Sequence, residues 1–386
     1  MTNVQKITID NKVVNGETIP GMKRILDIAL KLKDSVMFHG APGIGKSLGV
    51  YQWNAEQVQK RKNWNPVVCD VRLSMKEPVD MVGIPLPITV DGKTKTVWAT
   101  PNMWPDNTFD GGTILLDEIN QGQPSILNAA FQLIQDRALG DYKVPDGYVI
   151  VAAANPSCYN NTVTEMSLPL CNRFSHFNVK ADFDGWFNYR LNNGGNVDVL
   201  SFLKTQDSSL LFDTQAFEDR IGGKVDEDGV FTDIIPTPRS WEVIERLLDL
   251  SDFTMLEKQY YATGRLGLTL TARLFNYIRE KEKYQSWQSI LERGEPFKDE
   301  SADTFWGAHI NCITAINRES DDEKVRKYVL NFVKATRELD NRAYKATNIT
   351  ALSTCKRMVG RLDLFNIVKD APDMLTLLTE AVLQNK

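Results

Sequence analysis

Two short stretches of the sequence carry residues whose types and spacing could handle phosphate chemistry. The first, 40–47, follows the pattern G-x-x-x-x-G-K-S. Glycines in such a loop let backbone N–H groups wrap around phosphates at the positive end of a helix, and Lys46 adds a charge that reaches the β- and γ-phosphates. The Ser47 hydroxyl can ligate Mg²⁺. The predicted nucleoside triphosphate site consists of Gly40, Ala41, Pro42, Gly43, Ile44, Gly45, Lys46, Ser47 and Leu48.

The second stretch ends in two carboxylates, Asp117 and Glu118. They follow the apolar run 113–116, which is typical of a buried strand that delivers acids to the carboxyl edge of a parallel sheet. Asp117 can hold Mg²⁺ through water beside Ser47, so these two residues are the predicted metal site. Glu118 can orient and deprotonate a water that attacks the γ-phosphate. An Asp-Glu pair alone is a weak signal, and it gains weight because it follows a sound phosphate loop.

This chemistry depends on strands and helices that bring the two stretches together. The apolar run 35–39 predicts a buried strand before the loop, and the proline-free stretch 46–62 is rich in helix formers. That context separates a phosphate-binding loop from a glycine-rich turn that binds nothing. Runs 66–73 and 148–154 predict two further strands. The second leads to Asn155, which would lie near the carboxylates and could hydrogen-bond the γ-phosphate or the attacking water, although Asn-Pro alone is simply a turn signal.

Two hairpins are predicted within this α/β pattern. One covers 88–98, where Asp91-Gly92 separates two strand-like runs, and the other covers 137–147. Hairpins at such places are insertions that project from a nucleotide-binding core. Spacing alone does not separate a functional insertion from an ornamental loop.

Composition is that of a globular protein of two or three domains, with 386 residues, 25% of them charged and 42% hydrophobic. No apolar run approaches the roughly 20 residues that cross a bilayer. The polar stretch 1–11 lacks the apolar core of a signal peptide. Five scattered cysteines without a C-x-x-C pair, and only three histidines, argue against a zinc site or a disulfide framework. We expect a cytoplasmic protein with no membrane partner.

Charge is unevenly distributed along the chain. The net charge of −5 argues against broad, nonspecific nucleic-acid binding by the whole surface. The stretch 324–361, however, holds ten Lys or Arg against only Glu338 and Asp340. Solvated helix faces account for such a pattern, and so does a surface that docks a partner or nucleic acid.

The ordered motifs of the first 250 or so residues resemble the MoxR branch of the AAA+ ATPases. They are GAPGIGKS, MKEPVDMVGIP, TILLDEIN, LIQDRALGDYKVPDGY, VAAANP, PLCNRFSHF and PTPRSWEVI. The similarity covers 20–280 well and fades over the last hundred residues. It implies that the two hairpins correspond to the helix-two insert and the pre-sensor-one hairpin of that superclade.

The resemblance also implies roles for single residues. It identifies 40–47 as Walker A, with the implied catalytic residues being Glu118 of Walker B, Asn155 as sensor one, Arg173 as arginine finger and Arg239 as sensor two. Cys171 departs from the small residues more usual before the finger. For Arg173 the alternative is a surface ion pair, and whether Arg239 acts on its own subunit's nucleotide or a neighbour's stays open. Arg239 is predicted to lie in a loop, between 236–238 and an amphipathic helix from Ser240 to Leu250. Arg137 is a further candidate for action on a neighbouring subunit.

The expected fold is an α/β AAA+ P-loop NTPase core with a parallel sheet, followed by an α-helical lid and a helical C-terminal extension. The predicted domains are an N-terminal segment, the core, the lid with sensor two, and the extension, at 1–19, 20–185, 186–285 and 286–386.

The function implied by the resemblance is that of an ATP-hydrolysing, Mg²⁺-dependent chaperone or remodeller that forms a ring, with a hexamer expected. Its partner would be a protein, commonly one with a von Willebrand factor A domain. A nucleic-acid translocase or helicase-like AAA+ motor is the alternative, although overall acidity weighs against it. A nucleotide-gated scaffold without hydrolysis is disfavoured because every catalytic position is filled.

Overall fold

The structure, a computed structural model, describes residues 18–156, 164–206, 208–212, 234–280, 285–298, 301–355 and 372–384, with Leu364 and Asn366. The described residues up to Asp182 form one compact unit, and those from Phe183 form a second. Most of the predicted N-terminal segment, 1–17, lies outside the described residues, as does the end of the basic stretch, 356–361.

A parallel sheet and two separate hairpins make up the described strands of the first unit. In chain order they are β1 (Val36–His39), β2 (Cys69–Arg72), β3 (Ile84–Val90), β4 (Lys93–Ala99), β5 (Gly112–Asp117), β6 (Ala138–Leu139), β7 (Tyr142–Lys143), β8 (Tyr148–Ala154) and β9 (Ser175–Asn178). The sheet has the order β2-β5-β8-β1-β9, and its neighbouring strands all pair in parallel. Strand β8 therefore lies between the strand that precedes the glycine-rich loop and the strand that carries the carboxylates.

Burial explains why these segments are strands. All seven residues of β8 and the first five of β5 are buried, as expected of central strands covered on both faces. The predicted strands at 35–39, 66–73, 113–116 and 148–154 are all present. Strand β9 was not predicted, because it is short and alternates between partly buried and exposed residues at the sheet edge.

The helices in the described part of the first unit are α1 (Ile19–Leu32), α2 (Lys46–Lys60), α3 (Pro78–Val82), α4 (Pro124–Asp136) and α5 (Leu168–Cys171). Helix α2 begins at the last residues of the glycine-rich loop, so its position sets the position of the loop. Trp53 of α2 is fully buried and donates a hydrogen bond from Nε1 to Asp27 of α1 at 2.9 Å.

A buried amide ties α2 to the sheet. Asn54 is 1% exposed, and its Oδ1 accepts hydrogen bonds from Trp64 Nε1 at 2.7 Å and from Thr113 Oγ1 of β5 at 2.8 Å. Its Nδ2 donates to the carbonyls of Asn65 and Pro66. The helix that follows the loop is thereby fixed to the strand that ends in the carboxylates.

Both predicted hairpins are confirmed. Strands β3 and β4 pair antiparallel, and Asp91 and Gly92 between them both have positive φ, as a tight two-residue hairpin turn requires. Strands β6 and β7 form the second, shorter hairpin. The first hairpin exposes Ile84, Leu86 and Ile88, which alternate along β3 and therefore share one face.

The second unit is helical over its described residues. Its helices are α6 (Phe183–Asn192), α7 (Val197–Thr205), α8 (Pro238–Asp249), α9 (Met255–Leu266), α10 (Leu268–Glu280), α11 (Trp287–Leu291), α12 (Ala302–Arg318), α13 (Asp322–Arg337), α14 (Arg342–Thr354) and α15 (Pro372–Gln384). Helix α7 lies between two apolar clusters: Phe202 packs with Trp241 and Phe275, whereas Leu200 packs with Phe305 and Phe332. The predicted boundary between lid and extension at 285 and 286 stays a prediction.

These observations confirm the expected α/β core with a parallel sheet, followed by a helical region. None of the helices within the described ranges combines the length and the hydropathy that crossing a bilayer requires.

We predict that Asn54→Leu lowers the free energy of unfolding by about 3 kcal/mol, because it leaves the Trp64 indole N–H and other buried polar groups without partners. Chemical denaturation measures this change. The matched control is Gln59→Leu at an exposed position of the same helix, which should alter stability by less than about 0.5 kcal/mol. Equal stability of the two variants would show that the Asn54 contacts do not hold α2 to the sheet.

Candidate nucleotide-binding and catalytic site

Three strands of the sheet end side by side at one edge. In the parallel register His39 lies opposite Ala154, and Leu116 lies opposite Ala152. The residues that come next on β1, β5 and β8 are the glycine-rich loop, the carboxylates and Asn155. The predicted site residues of the first unit are therefore brought together by strand register, at the edge where parallel α/β sheets bind ligands.

The glycines of the loop meet requirements that other residues do not. Gly43 and Gly45 have φ of 80° and 99°, in the region that favours glycine. At Gly40 a Cβ atom would lie 2.6 Å from the Val179 carbonyl oxygen, and the Gly40 N–H donates to the Ala154 carbonyl. The loop thus follows a tight path fixed to the neighbouring strands.

Around these glycines the rest of the loop is partly or fully buried. Ala41 and Ile44 are buried, Pro42 is half-buried, and Leu48 in the first turn of α2 is 41% exposed. Leu48 is thus the most open of the predicted nucleotide-binding residues.

Lys46 folds over the loop that precedes it. Its Nζ donates to the carbonyls of Gly40 at 2.7 Å and Ala41 at 2.9 Å, and to Asn155 Oδ1 at 2.8 Å. The residue is 8% exposed. All three acceptors are neutral oxygens, whereas phosphate oxygens form the stronger, charge-assisted hydrogen bonds with an ammonium group. The geometry therefore suits an ammonium that exchanges these acceptors for phosphate.

Ser47 and Asp117 fit a magnesium site. Ser47 Oγ donates to Asp117 Oδ2 at 2.8 Å. This arrangement suits a site where the Ser47 hydroxyl would ligate Mg²⁺ and Asp117 would hold the ion through water. Among the residues that the structure describes, no cluster of three or more His, Cys, Asp or Glu could hold a metal. Mg²⁺ takes most of its ligands from water and substrate phosphates.

Glu118 has an unusual backbone conformation. Its φ is 52° and its ψ is 39°, a left-handed conformation that costs a non-glycine residue about 1 kcal/mol or more. Its N–H donates to Asp117 Oδ1 at 3.0 Å, and its carboxylate Oε2 accepts a long hydrogen bond of 3.4 Å from Ser74 Oγ. Backbone strain at a functional residue is typical of a site where the direction of its side chain, here the Glu118 carboxylate, matters.

Asn120 is a site residue that the sequence did not reveal. It is 5% exposed, donates from Nδ2 to the Asn155 carbonyl at 2.6 Å and accepts from the Asn155 N–H at 3.4 Å. This amide pair fixes the Asn155 backbone, while the Asn155 side chain faces Lys46. The signal was an asparagine three residues after Asp117, a polar side chain that would have to find a partner in a buried turn.

Arg173 lies on the surface of the first unit. Its Nε donates to Gln135 Oε1 at 3.2 Å, and its guanidinium carbon lies 5.9 Å from the centre of the Phe131 ring. The side chain is exposed and makes no ion pair with any described residue. The surface ion pair considered as an alternative is therefore not found in the described part of the chain.

Arg137 points inward instead. Its Nη2 donates to the carbonyls of Pro145 and Tyr148, at 3.1 and 2.7 Å. Burial lowers the pKa of the guanidinium. These contacts hold Arg137 against the second hairpin, and its action on a neighbouring subunit stays a prediction.

Arg239 belongs to the second unit, and its local structure differs from the prediction. We expected a loop before a helix that begins at Ser240, but α8 begins at Pro238, so Arg239 lies in the first helical turn. Proline is favoured at this position because its missing N–H has no helical partner, and Thr237 caps the helix by accepting from the Ser240 N–H. Arg239 is exposed.

Comparisons with known proteins add little. No family model matches the sequence, and no curated protein matches it significantly. Solved structures similar to this chain include NtrX from Brucella abortus in complex with ADP, which is 12% identical, covers 90% of this chain and 67% of that chain, and has a TM-score of 0.35.

A point mutant of RuvB from Thermotoga maritima is 12% identical, over 72% of this chain and 79% of that chain, with a TM-score of 0.34. Hsp104 with ATPγS and casein is also 12% identical, over 63% of this chain and 41% of that chain, with a TM-score of 0.31. Similarities this weak carry no argument about function, which rests on the geometry of the site.

We predict that Lys46→Ala abolishes detectable ATP binding while leaving the fold intact, because it removes the charge at the centre of the loop. Titration calorimetry measures the affinity, and circular dichroism checks the fold. Lys60→Ala, at the exposed far end of the same helix, is the matched control and should bind ATP like the parent. Parental affinity of Lys46→Ala would refute the assignment of the phosphate loop.

Proposed function

We propose that this protein is an ATPase of the MoxR-type AAA+ class that remodels a partner protein and works as a ring, with a hexamer expected. One observation carries the proposal. Lys46, Ser47, Asp117 and Asn155 come from three separate strand ends and are joined by direct hydrogen bonds of 2.8 Å. No single structural requirement demands a lysine, a hydroxyl, a carboxylate and an amide at one sheet edge, whereas phosphoryl transfer uses all four.

The chain's own residues account for the binding of ATP. The residues that follow Pro42 in the loop offer backbone N–H groups at the start of α2, where the helix dipole favours anions. Lys46 holds the β- and γ-phosphates in place of its present carbonyl acceptors. Ser47 and Asp117 would hold Mg²⁺, which would neutralise charge on the phosphate oxygens.

Hydrolysis needs a base and a group that orients water. Glu118 accepts a proton from the water as the water oxygen attacks the γ-phosphorus. The bond between that phosphorus and the β,γ-bridging oxygen breaks, which releases ADP and phosphate. Asn155 hydrogen-bonds the γ-phosphate or the water, and Asn120 keeps its backbone in place. The strained backbone of Glu118 then has a purpose, because a base is effective only within hydrogen-bond reach of the proton that it takes.

Arg173 supplies positive charge to a neighbouring subunit. Charge spreads over the transferring phosphoryl group, and an arginine from the next subunit stabilises it. Support comes from the exposure of Arg173 and from its weak partners, a neutral amide and an aromatic ring. Arg239, which is exposed in the first turn of α8, is proposed as the sensor-two residue. Its target is the nucleotide of its own subunit or that of a neighbour.

The partner is proposed to be a protein, commonly one with a von Willebrand factor A domain as the family resemblance implies. The exposed apolar face of β3, with Ile84, Leu86, Ile88 and Val90, favours a protein over nucleic acid as the molecule that contacts this hairpin. The exposed basic residues of α13, among them Lys324 and Lys327, favour the nucleic-acid alternative. Strongly salt-dependent binding of DNA or RNA would support that alternative.

We predict that Arg173→Ala binds ATP normally and hydrolyses it roughly 10³-fold or more slowly. Mixing Arg173→Ala subunits with Lys46→Ala subunits creates interfaces where an intact loop faces an intact finger. Two separately inactive proteins should therefore regain part of the ATPase activity, in proportion to the mixed interfaces formed. The measurement is the steady-state rate after a tagged pull-down has shown that the subunits exchange.

The matched control mixes Lys46→Ala with a Lys46→Ala, Arg173→Ala double variant, which offers no intact loop and should stay inactive. Absence of recovered activity in the first mixture would mean that Arg173 acts within its own subunit or is structural, and the need for a ring would lose its chemical basis.

A further inference from the structure

The segment that carries Arg173 is a hydrogen-bonded β-turn. The Phe174 N–H donates to the Cys171 carbonyl at 3.1 Å, so Asn172 and Arg173 occupy the two central positions of the turn. The Arg173 N–H donates to the Leu170 carbonyl at 3.1 Å. The direction in which the arginine leaves the chain is therefore set by the Cys171 carbonyl and its partners.

That carbonyl has a second donor, His176. The His176 Nε2 lies 2.8 Å from the Cys171 oxygen, and the His176 Nδ1 lies 2.8 Å from His39 Nε2. The two imidazole rings stack with centres 5.1 Å apart. Register explains the pair: His39 lies opposite Asn178 and Met37 lies opposite His176, so the histidines are diagonal neighbours on one face of β1 and β9.

The chemistry of the end group fixes the direction of this chain of hydrogen bonds. A carbonyl oxygen only accepts, so His176 Nε2 must carry the proton in that contact. In a neutral His176 ring Nδ1 is then an acceptor, and His39 Nε2–H donates to it. Burial lowers the pKa of His39 to about 4, with His176 and the nearby charge of Lys46 adding to the effect, so His39 is neutral at pH 7.

These hydrogen bonds thus connect the glycine-rich loop with the turn that carries Arg173. His39 directly precedes Gly40, whose carbonyl accepts a hydrogen bond from Lys46. The His39 carbonyl accepts a hydrogen bond from the Val179 N–H at 2.6 Å. At the other end stands the turn with Arg173. Neither histidine belongs to the predicted catalytic set, and a surface strand does not need a stacked histidine pair bonded to a turn carbonyl in order to fold.

We propose that His39 and His176 are positioning residues for Arg173. The two histidines hold the 171–174 turn through the Cys171 carbonyl. They thereby link the nucleotide-binding loop of one subunit to the arginine that this subunit offers to the next. The inference rests on the proposed function, since it requires Arg173 to act on nucleotide. Misplacing a catalytic group by about 1 Å can cost 10²-fold in rate, so even a modest loss of order in this turn reaches the chemistry.

The test removes the two ring nitrogens of His176 but keeps an aromatic ring at this position. His176→Phe retains stacking on His39 and loses both hydrogen bonds. We expect kcat for ATP to fall about tenfold while the dissociation constant for ATP stays within twofold of the parent. His176→Gln, whose amide can both donate and accept, should recover part of the rate. Asn178→Ala, exposed on the same strand, is the matched control and should behave like the parent.

A double variant separates positioning from a general structural effect. If His176 acts only through Arg173, adding His176→Phe to Arg173→Ala should not lower kcat further, and His39→Phe with His176→Phe should be no slower than either alone. A further tenfold loss in the Arg173→Ala background would overturn the inference, as would a normal kcat for His176→Phe. Thermal unfolding of each variant excludes loss of fold as the cause.

The role of Arg173 and the positioning role of the histidines can be tested separately. If Arg173→Ala hydrolyses ATP at the parental rate, the finger itself is misassigned and the histidines have no target. If Arg173→Ala is slow but His176→Phe is fast, the proposed function stands and the positioning role alone is wrong.

Discussion

The site depends on one constraint, the parallel register of β1, β8 and β5. Parallel neighbours end at the same edge, so three distant segments of the chain deliver the loop, Asn155 and Asp117 to one place. The hydrogen bonds of Lys46 with Asn155 and of Ser47 with Asp117 are consequences of this register. A shift of one residue would turn each side chain to the other face of the sheet and dismantle the site.

Binding, chemistry and assembly draw on different parts of the first unit. At the carboxyl edge of the sheet Lys46 is held by oxygens that phosphate can replace, and Glu118 is held in a strained conformation. Arg173 is exposed at a central position of the turn that precedes β9. Each of these features lacks a purely structural reason, and each has a role in phosphoryl transfer between two subunits. The histidine pair extends this logic, because it joins the two ends of the site within one subunit.

The sequence predicted what is local and periodic. Glycine spacing identified the loop, and continuous apolar runs identified β5 and β8, because central strands are buried on both faces. It did not predict β9, whose four residues alternate at an edge. Nor did it predict the roles of Asn120 and His176, because their contacts with Asn155 and His39 join residues distant in the sequence. The start of α8 at Pro238 was misplaced because proline suits both a turn and a first helical position. The catalytic roles themselves stay predictions.

Hydrolysis of ATP at this edge of the sheet, with Glu118 as base, can be tested by following bound nucleotide in Glu118→Gln. The amide keeps the size and the hydrogen bonding of the carboxylate but cannot accept the proton from water. We expect ATP to bind with parental affinity and to be recovered intact after many parental turnover times. Conversion of the bound ATP to ADP at a near-parental rate would show that Glu118 is not the base.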